Sequence, residues 1–161
     1  MEIRLAEKLD FEQILAIYEH ARSFMRETGN PTQWKANYPS RDDLLSDFSD
    51  GNLYVLYDDE GIHGVFVFIP DADDVTYRKI DGAWLNELPY AAVHKVASRG
   101  TRKGILKTIM DYCFSIQKNI KIDTHRDNKI MQHQLEKYGF SPCGIIYLLN
   151  GEERLAYQKT I

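Results

Sequence analysis

The residues best suited to chemistry lie in a basic turn, Arg99-Gly100-Thr101-Arg102-Lys103-Gly104, which joins an apolar run to a helical pattern. A strand, a cationic turn and a helix in that order make a phosphate-binding device. The first N–H groups of a helix have no intrahelical acceptor, and the helix dipole favours negative charge at that end. Gly104 lets the backbone come close to an anion, while Arg99, Arg102, Lys103 and Lys107 add positive charge. Two histidines flank the turn: His94 within the apolar run and His125 beyond the next strand pattern. Both can titrate near neutral pH, which makes them candidates for a general base. A second stretch, residues 29–39, reads Gly-Asn-Pro-Thr-Gln-Trp-Lys-Ala-Asn-Tyr-Pro. Its two large aromatics, Trp34 and Tyr38, imply a loop pinned to the core rather than a free linker.

Periodicity predicts the elements that must position these groups. Residues 2–6 alternate as a half-buried strand does. Asp10, with Gln13 three residues on, reads as a capping box for a helix. On that helix Phe11, Ile14, Leu15, Ile17, Tyr18 and Ala21 share a face, and it runs toward Arg26 and stops near Gly29-Asn30-Pro31. Ser40 and Asp43 open a short helix ending near Phe48. A strand follows at 52–57, with Leu53, Val55 and Tyr57 on one face. Asp58-Asp59-Glu60-Gly61 makes a hairpin turn. The apolar run at 64–69 reads as a central strand. Residues 71–89 form a polar excursion with short turns, in which Trp84 packs.

The run at 91–98 is another central strand. Residues 104–116 form a helix with Ile105, Ile109, Cys113 and Ile116 inward, and 120–124 a short strand. Asp127 or Asn128 caps the next helix, which places Met131, Leu135 and Tyr138 near one face and stops at Gly139. A strand at 140–148, an Asn150-Gly151 hairpin and a strand at 153–160 complete the chain. This order predicts an α/β fold, a single mixed sheet with helices on both faces.

The 161 residues suggest one domain spanning 1–161. A net charge of −4 argues against global attraction to nucleic acid, and the basic turn lacks interleaved aromatics. There is no apolar run of membrane-spanning length and no basic-then-apolar signal pattern, so no membrane partner is expected and a cytoplasmic location is. Cys113 and Cys143 have no metal-ligand spacing, so reduced thiols and no metal are expected.

The stretch from 91 to 147 resembles the acetyl-CoA-binding core of the GNAT superfamily of N-acetyltransferases. The family's pyrophosphate loop reads Q/R-x-x-G-x-G/A before a helix. Arg99 and Gly104 match its first and last positions, and Arg102 stands where the first glycine would be. The second match is Asn128 opening a helix that closes in Glu136-Lys137-Tyr138-Gly139-Phe140. Before residue 91 only the order of elements is compatible.

The resemblance implies the GNAT acyl-CoA N-acyltransferase fold, six to seven strands flanked by about four helices. Two neighbouring parallel strands, here 91–98 and 120–124, would splay around the pantetheine arm of acetyl-CoA, the co-substrate. Main-chain groups of Val96, Ala97 and Ser98 would pair with that arm, and Asn128 would hydrogen-bond it. The N–H groups of Thr101, Arg102, Lys103, Gly104, Ile105 and Leu106 would hold the pyrophosphate. Trp34 and Tyr38 fall in a loop that often lines the acceptor pocket in this family. The acceptor would be a primary amine of a small molecule or peptide, attacking directly, with His94 or His125 taking its proton. A homodimer is compatible with the family. Positioning and electrostatics do most of the work in such a transfer.

One position departs from the family. Many members carry a tyrosine seven residues after the helix-opening asparagine, as acid for the leaving thiolate; here that residue is Leu135. Period-two alternation puts Cys143, Ile145 and Tyr147 on one strand face, which makes Tyr147 a substitute acid. The alternatives are protonation by water, or a non-catalytic acyl-CoA-binding or regulatory module on the same fold.

Overall fold

A computed structural model describes every residue except Ala36. The elements in chain order begin with β1 (Glu2–Leu5), α1 (Phe11–Glu27), α2 (Arg41–Ser49), β2 (Leu53–Asp58), β3 (Gly61–Ile69) and β4 (Asp81–Gly82). They continue with β5 (Ala91–Ser98), α3 (Ile105–Ile116), β6 (Asn119–Thr124), α4 (Lys129–Lys137), β7 (Ser141–Tyr147) and β8 (Glu153–Thr160). Eight strands form an open mixed sheet, against the six to seven implied by the resemblance; the extra one is the two-residue β4. The chain folds as two compact units, Met1–Phe68 with His94–Tyr112, and Ile69–Val93 with Cys113–Ile161.

In the first unit the strand order is β1-β2-β3-β5. Ile14, Ile17, Tyr18 and Ala21 of α1 are buried, as their spacing requires. Asp10 does not cap this helix with its side chain. A 3-10 turn at Lys8–Asp10 precedes α1, so the backbone at Asp10 is already helical, and its carboxylate accepts from the Glu7 N–H and from Arg4. Gln13 is likewise no box partner; its side-chain oxygen accepts from the Ile62 N–H at 3.3 Å. Ser40 and Asp43 do form the reciprocal box that opens α2. The β2–β3 hairpin carries a bulge opposite Leu56 and Tyr57, with the extra residue, His63, in β3. β2 keeps its register with β1, so Leu53, Val55 and Tyr57 share a face as expected, and Leu56 is buried on the other. β3 is buried from Ile62 to Phe68, as an interior strand between β2 and β5 must be.

In the second unit the order is β5-β6-β8-β7-β4. β5 and β6 are parallel, and their ladder is two pairs long, Ala91 with Ile120 and Ala92 with Lys121. β6, β8 and β7 pair antiparallel. The excursion after β3 folds onto this unit: Tyr77 is buried with Ala92, Ile146 and Ala156, and Trp84 and Tyr90 pack against them. The Trp84 indole donates to the Tyr77 carbonyl at 2.8 Å, and the Tyr77 hydroxyl donates to Asp123 at 2.5 Å. Gly139 ends α4 with φ +84, and the bonds from Gly139 N to Glu136 O and from Phe140 N to Leu135 O make a Schellman closure.

Asn150-Gly151 is not a two-residue hairpin. Tyr147 pairs with Glu153, and the turn bond runs from Gly151 N to Leu148 O, so both residues lie in a longer loop. Ile116 is 51% exposed because α3 ends there, whereas Ile105, Ile109 and Cys113 are buried as expected.

Candidate active site

β5 delivers the basic turn. Ser98 Oγ accepts from the Gly100 N–H at 3.1 Å, and the Arg99 N–H donates to the His63 carbonyl at 2.9 Å. Gly104 has φ +74, and a Cβ built there would meet nothing within 4 Å, so glycine is needed for conformation while the space beside it is open. The Thr108 N–H and hydroxyl both reach the Gly104 carbonyl at 3.0 Å. The N–H groups of Ile105, Leu106 and Lys107 precede that bond and have no intrahelical acceptor. The side chains of Ile105 and Leu106 are buried, so these residues can contribute only main chain to an anion.

The basic side chains divide. Arg102 turns to the β2–β3 hairpin, with Nε 3.0 Å from Asp58 and Nη2 on Glu60. Lys107 pairs with Asp111 at 2.5 Å. Among the described residues, Arg99 and Lys103 are exposed and make no side-chain hydrogen bond or ion pair. Behind the loop, buried His63 contacts Asp58 and Thr101, a link that sequence reasoning missed.

Trp34 packs against Tyr18, and Tyr38 lies under the Lys95 ammonium of β5. The Tyr18 hydroxyl, on a fully buried ring, donates to the Lys95 carbonyl at 2.6 Å. Burial raises the Tyr18 pKa well above its ordinary value, so it stays a donor. Lys95 has φ +52, and among the described residues no other non-glycine lies in that region. The Trp34 ring lies 5.6 Å from Tyr18, and the Lys95 ammonium lies 5.9 Å above the Tyr38 ring and 2.7 Å from Asp47. His94 is half-buried just before this distortion. Tyr18, Asp47 and Lys95 were not singled out from the sequence. A tyrosine on a buried helix face was the available signal, because its hydroxyl must find a partner.

The other candidates belong to the second unit. His125 Nδ1 accepts from the Asp127 N–H at 3.0 Å, which leaves the proton of the neutral ring on Nε2. Burial, then the charge of Arg154, lowers its pKa. Asn128 Oδ1 accepts from the Met131 N–H at 3.1 Å, as a helix cap. The hydroxyl of Thr124, at the end of β6, is buried without a partner. Leu135 is fully buried. A bulge between Pro142 and Gly144 breaks the alternation, so Cys143 packs with Ile146 while Tyr147 is exposed. The Tyr147 hydroxyl donates to Asp81, whose carboxylate raises the phenol pKa. Gly82 and Gly144 allow that approach: a Cβ on Gly144 would lie 2.1 Å from the Asp81 carbonyl. Among the described residues no group of three or more His, Cys, Asp or Glu could hold a metal, and no helix is long and apolar enough to cross a membrane.

An acetyltransferase of the GNAT family from Streptococcus agalactiae has a solved structure 30% identical to this chain. The match covers 99% of this chain and 95% of that one, with a TM-score of 0.86. The chain belongs to the GNAT family of acetyltransferases and is an acyltransferase. The fold extends to a Listeria monocytogenes GNAT-family acetyltransferase, with TM-score 0.70 at 18% identity over 99% of this chain and 94% of that one. It extends as well to a ribosomal-protein-alanine N-acetyltransferase from Brucella melitensis, with TM-score 0.63 at 18% identity over the whole of both chains. No protein-family model matches the chain, and no curated protein does.

Proposed function

We propose that the protein moves an acetyl group from acetyl-CoA to a primary amine of a small molecule or peptide by direct attack, in the cytoplasm. The observation that carries the reading is the open turn at Gly104, which precedes the Ile105 and Leu106 N–H groups, without intrahelical acceptors, at the start of α3 and is flanked by the exposed Arg99 and Lys103. The buried, unpartnered Thr124 hydroxyl also suits a ligand-binding site.

Acetyl-CoA supplies the thioester: the amine nitrogen bonds to its carbonyl carbon, the C–S bond breaks, and the thiolate leaves and takes a proton. The main chains of Val96, Ala97 and Ser98 align the pantetheine arm, and Asn128 hydrogen-bonds it. The N–H groups of Thr101, Arg102, Lys103, Gly104, Ile105 and Leu106 hold the pyrophosphate. Trp34 and Tyr38 line the acceptor pocket. His94 or His125 accepts the amine's proton; burial, then the charge of Arg154, lowers the His125 pKa and so favours its neutral, accepting form. Tyr147 is the proton donor to the thiolate.

Thiol release from acetyl-CoA across a panel of small amines and peptide N-termini tests this, with amine-dependent turnover expected. The second reading, a non-catalytic acyl-CoA-binding module, is favoured by fully buried Leu135 at the position of the family's acid. It gains if CoA binds and no amine supports turnover.

A further inference from the structure

Asp58, His63 and Thr101 form a continuous chain that the transfer reaction does not use. His63 is 1% exposed, with Nε2 2.7 Å from Asp58 Oδ1 and Nδ1 2.6 Å from Thr101 Oγ1. The bond from His63, the Glu60 N–H and Arg102 hold the Asp58 carboxyl at about 2, so at neutral pH it only accepts. Nε2 therefore carries a proton, and in the neutral ring Nδ1 accepts from the Thr101 hydroxyl. The second Asp58 oxygen accepts from Arg102 Nε at 3.0 Å, and Arg102 also donates to the Thr101 carbonyl at 2.9 Å. The His63 carbonyl takes the Arg99 N–H. Arg99, Thr101 and Arg102 are thus all tied to the β2–β3 hairpin.

An apolar side chain would fill the site of His63 without needing any partner. A buried imidazole needs both nitrogens satisfied, and here one partner is a residue of the basic loop itself. Main-chain N–H groups bind an anion tightly only if their directions are fixed beforehand, because ordering a loose loop subtracts from affinity. The Arg102 guanidinium faces the hairpin carboxylates.

We propose that Asp58 and His63 are positioning residues for the acyl donor's diphosphate, acting by holding Thr101 and Arg102 so that the loop N–H groups point at it. This rests on the reading of the loop as a CoA diphosphate site. Arg102 then serves the diphosphate through its own N–H, while its side chain acts as a second tie.

The test compares CoA with pantetheine, which shares the thiol arm and lacks the diphosphate, using the full chain. CoA affinity is measured by calorimetry and pantetheine affinity by displacement. His63→Leu and Thr101→Val are expected to weaken CoA about five- to thirtyfold, the effect of one or two lost hydrogen bonds, and to leave pantetheine unchanged. Thr101→Ser, which keeps the hydroxyl, is expected to retain wild-type CoA affinity. If His63→Leu does not fold, the two Thr101 variants carry the test. A parallel loss for CoA and pantetheine, or equal CoA affinity in Thr101→Val and Thr101→Ser, overturns the positioning role alone. A wild type that does not bind CoA overturns the functional reading beneath it.

Discussion

Gly104 and Cys113 separate ligand binding from packing at the scale of single residues. Alanine at Gly104 meets no steric obstacle but must adopt φ near +74, which costs about 1 kcal/mol of stability. It should also weaken CoA binding several-fold, because the turn relaxes away from the conformation that opens the helix start. Cys113→Ala empties part of a fully buried site, costing about 1 kcal/mol, and should leave CoA affinity unchanged. Calorimetry on both variants checks the pair; equal CoA affinity in wild type and Gly104→Ala removes the loop assignment. Tyr147 offers a second test. The Asp81 carboxylate raises its pKa, so the phenol keeps its proton through neutral pH. Tyr147→Phe is expected to lower kcat about ten- to a hundredfold with little change in the acetyl-CoA KM. Unchanged kcat, with an unchanged alkaline limb, assigns the protonation to water.

Helix α4 poses its question as an element. Its start depends on Asn128 Oδ1 and its end on the left-handed Gly139. Asn128→Ala should cost about 1 kcal/mol of stability by loss of the cap. Asn128→Asp should not, since aspartate caps as well as asparagine and its charge suits a helix start. Aspartate has no N–H to donate, however, and its charge is unwelcome beside an acyl donor rich in phosphate. If Asn128 also binds the pantetheine arm, Asn128→Asp should be stable in denaturant unfolding and weak in CoA titration. Wild-type CoA affinity in that variant would leave Asn128 as a cap alone.

Stability of the whole molecule should fall in acid for identifiable reasons. Asp10, mostly buried, has its pKa lowered chiefly by Arg4, which lies 2.7 Å away, and further by the Glu7 N–H. A depressed folded pKa gives stability that is complete above the unfolded value of about 3.9 and is lost as pH falls through the folded one. Asp58 follows the same sign, its contribution fading between about 3.9 and about 2. Asp10→Asn should therefore cost about 2 kcal/mol at pH 7, with the difference from wild type shrinking as the pH falls below 4. Denaturant titrations at pH 7 and pH 3 measure it; a difference that stays constant with pH would assign the loss to packing instead of charge.

Much of the fold was legible because its signals are local. The 3.6-residue spacing marked α1, the Ser40 box marked α2, and β5 and β8 fall where their patterns put them. The basic turn and the Asn128 cap were readable for the same reason, since a helix start is specified within a few residues. Other features depend on which distant residue arrives as partner. The bulge at Pro142/Gly144 arises in strand pairing and shifts which side chains share a face, which is why alternation grouped Cys143 with Ile145 and Tyr147. Asp10 looked like a cap until Arg4 and Glu7 claimed its carboxylate. The left-handed turn at Lys95 accompanies a hydroxyl 77 residues away, and the tie from His63 to the loop spans 38 residues. The sequence by itself determined most of the helices and strands and the basic character of the loop, but not the two-residue β4 or the 3-10 turn before α1. Only the tertiary structure decided which groups hold that loop in shape, because a buried polar side chain takes whatever partner the packing brings, and local sequence does not encode that partner.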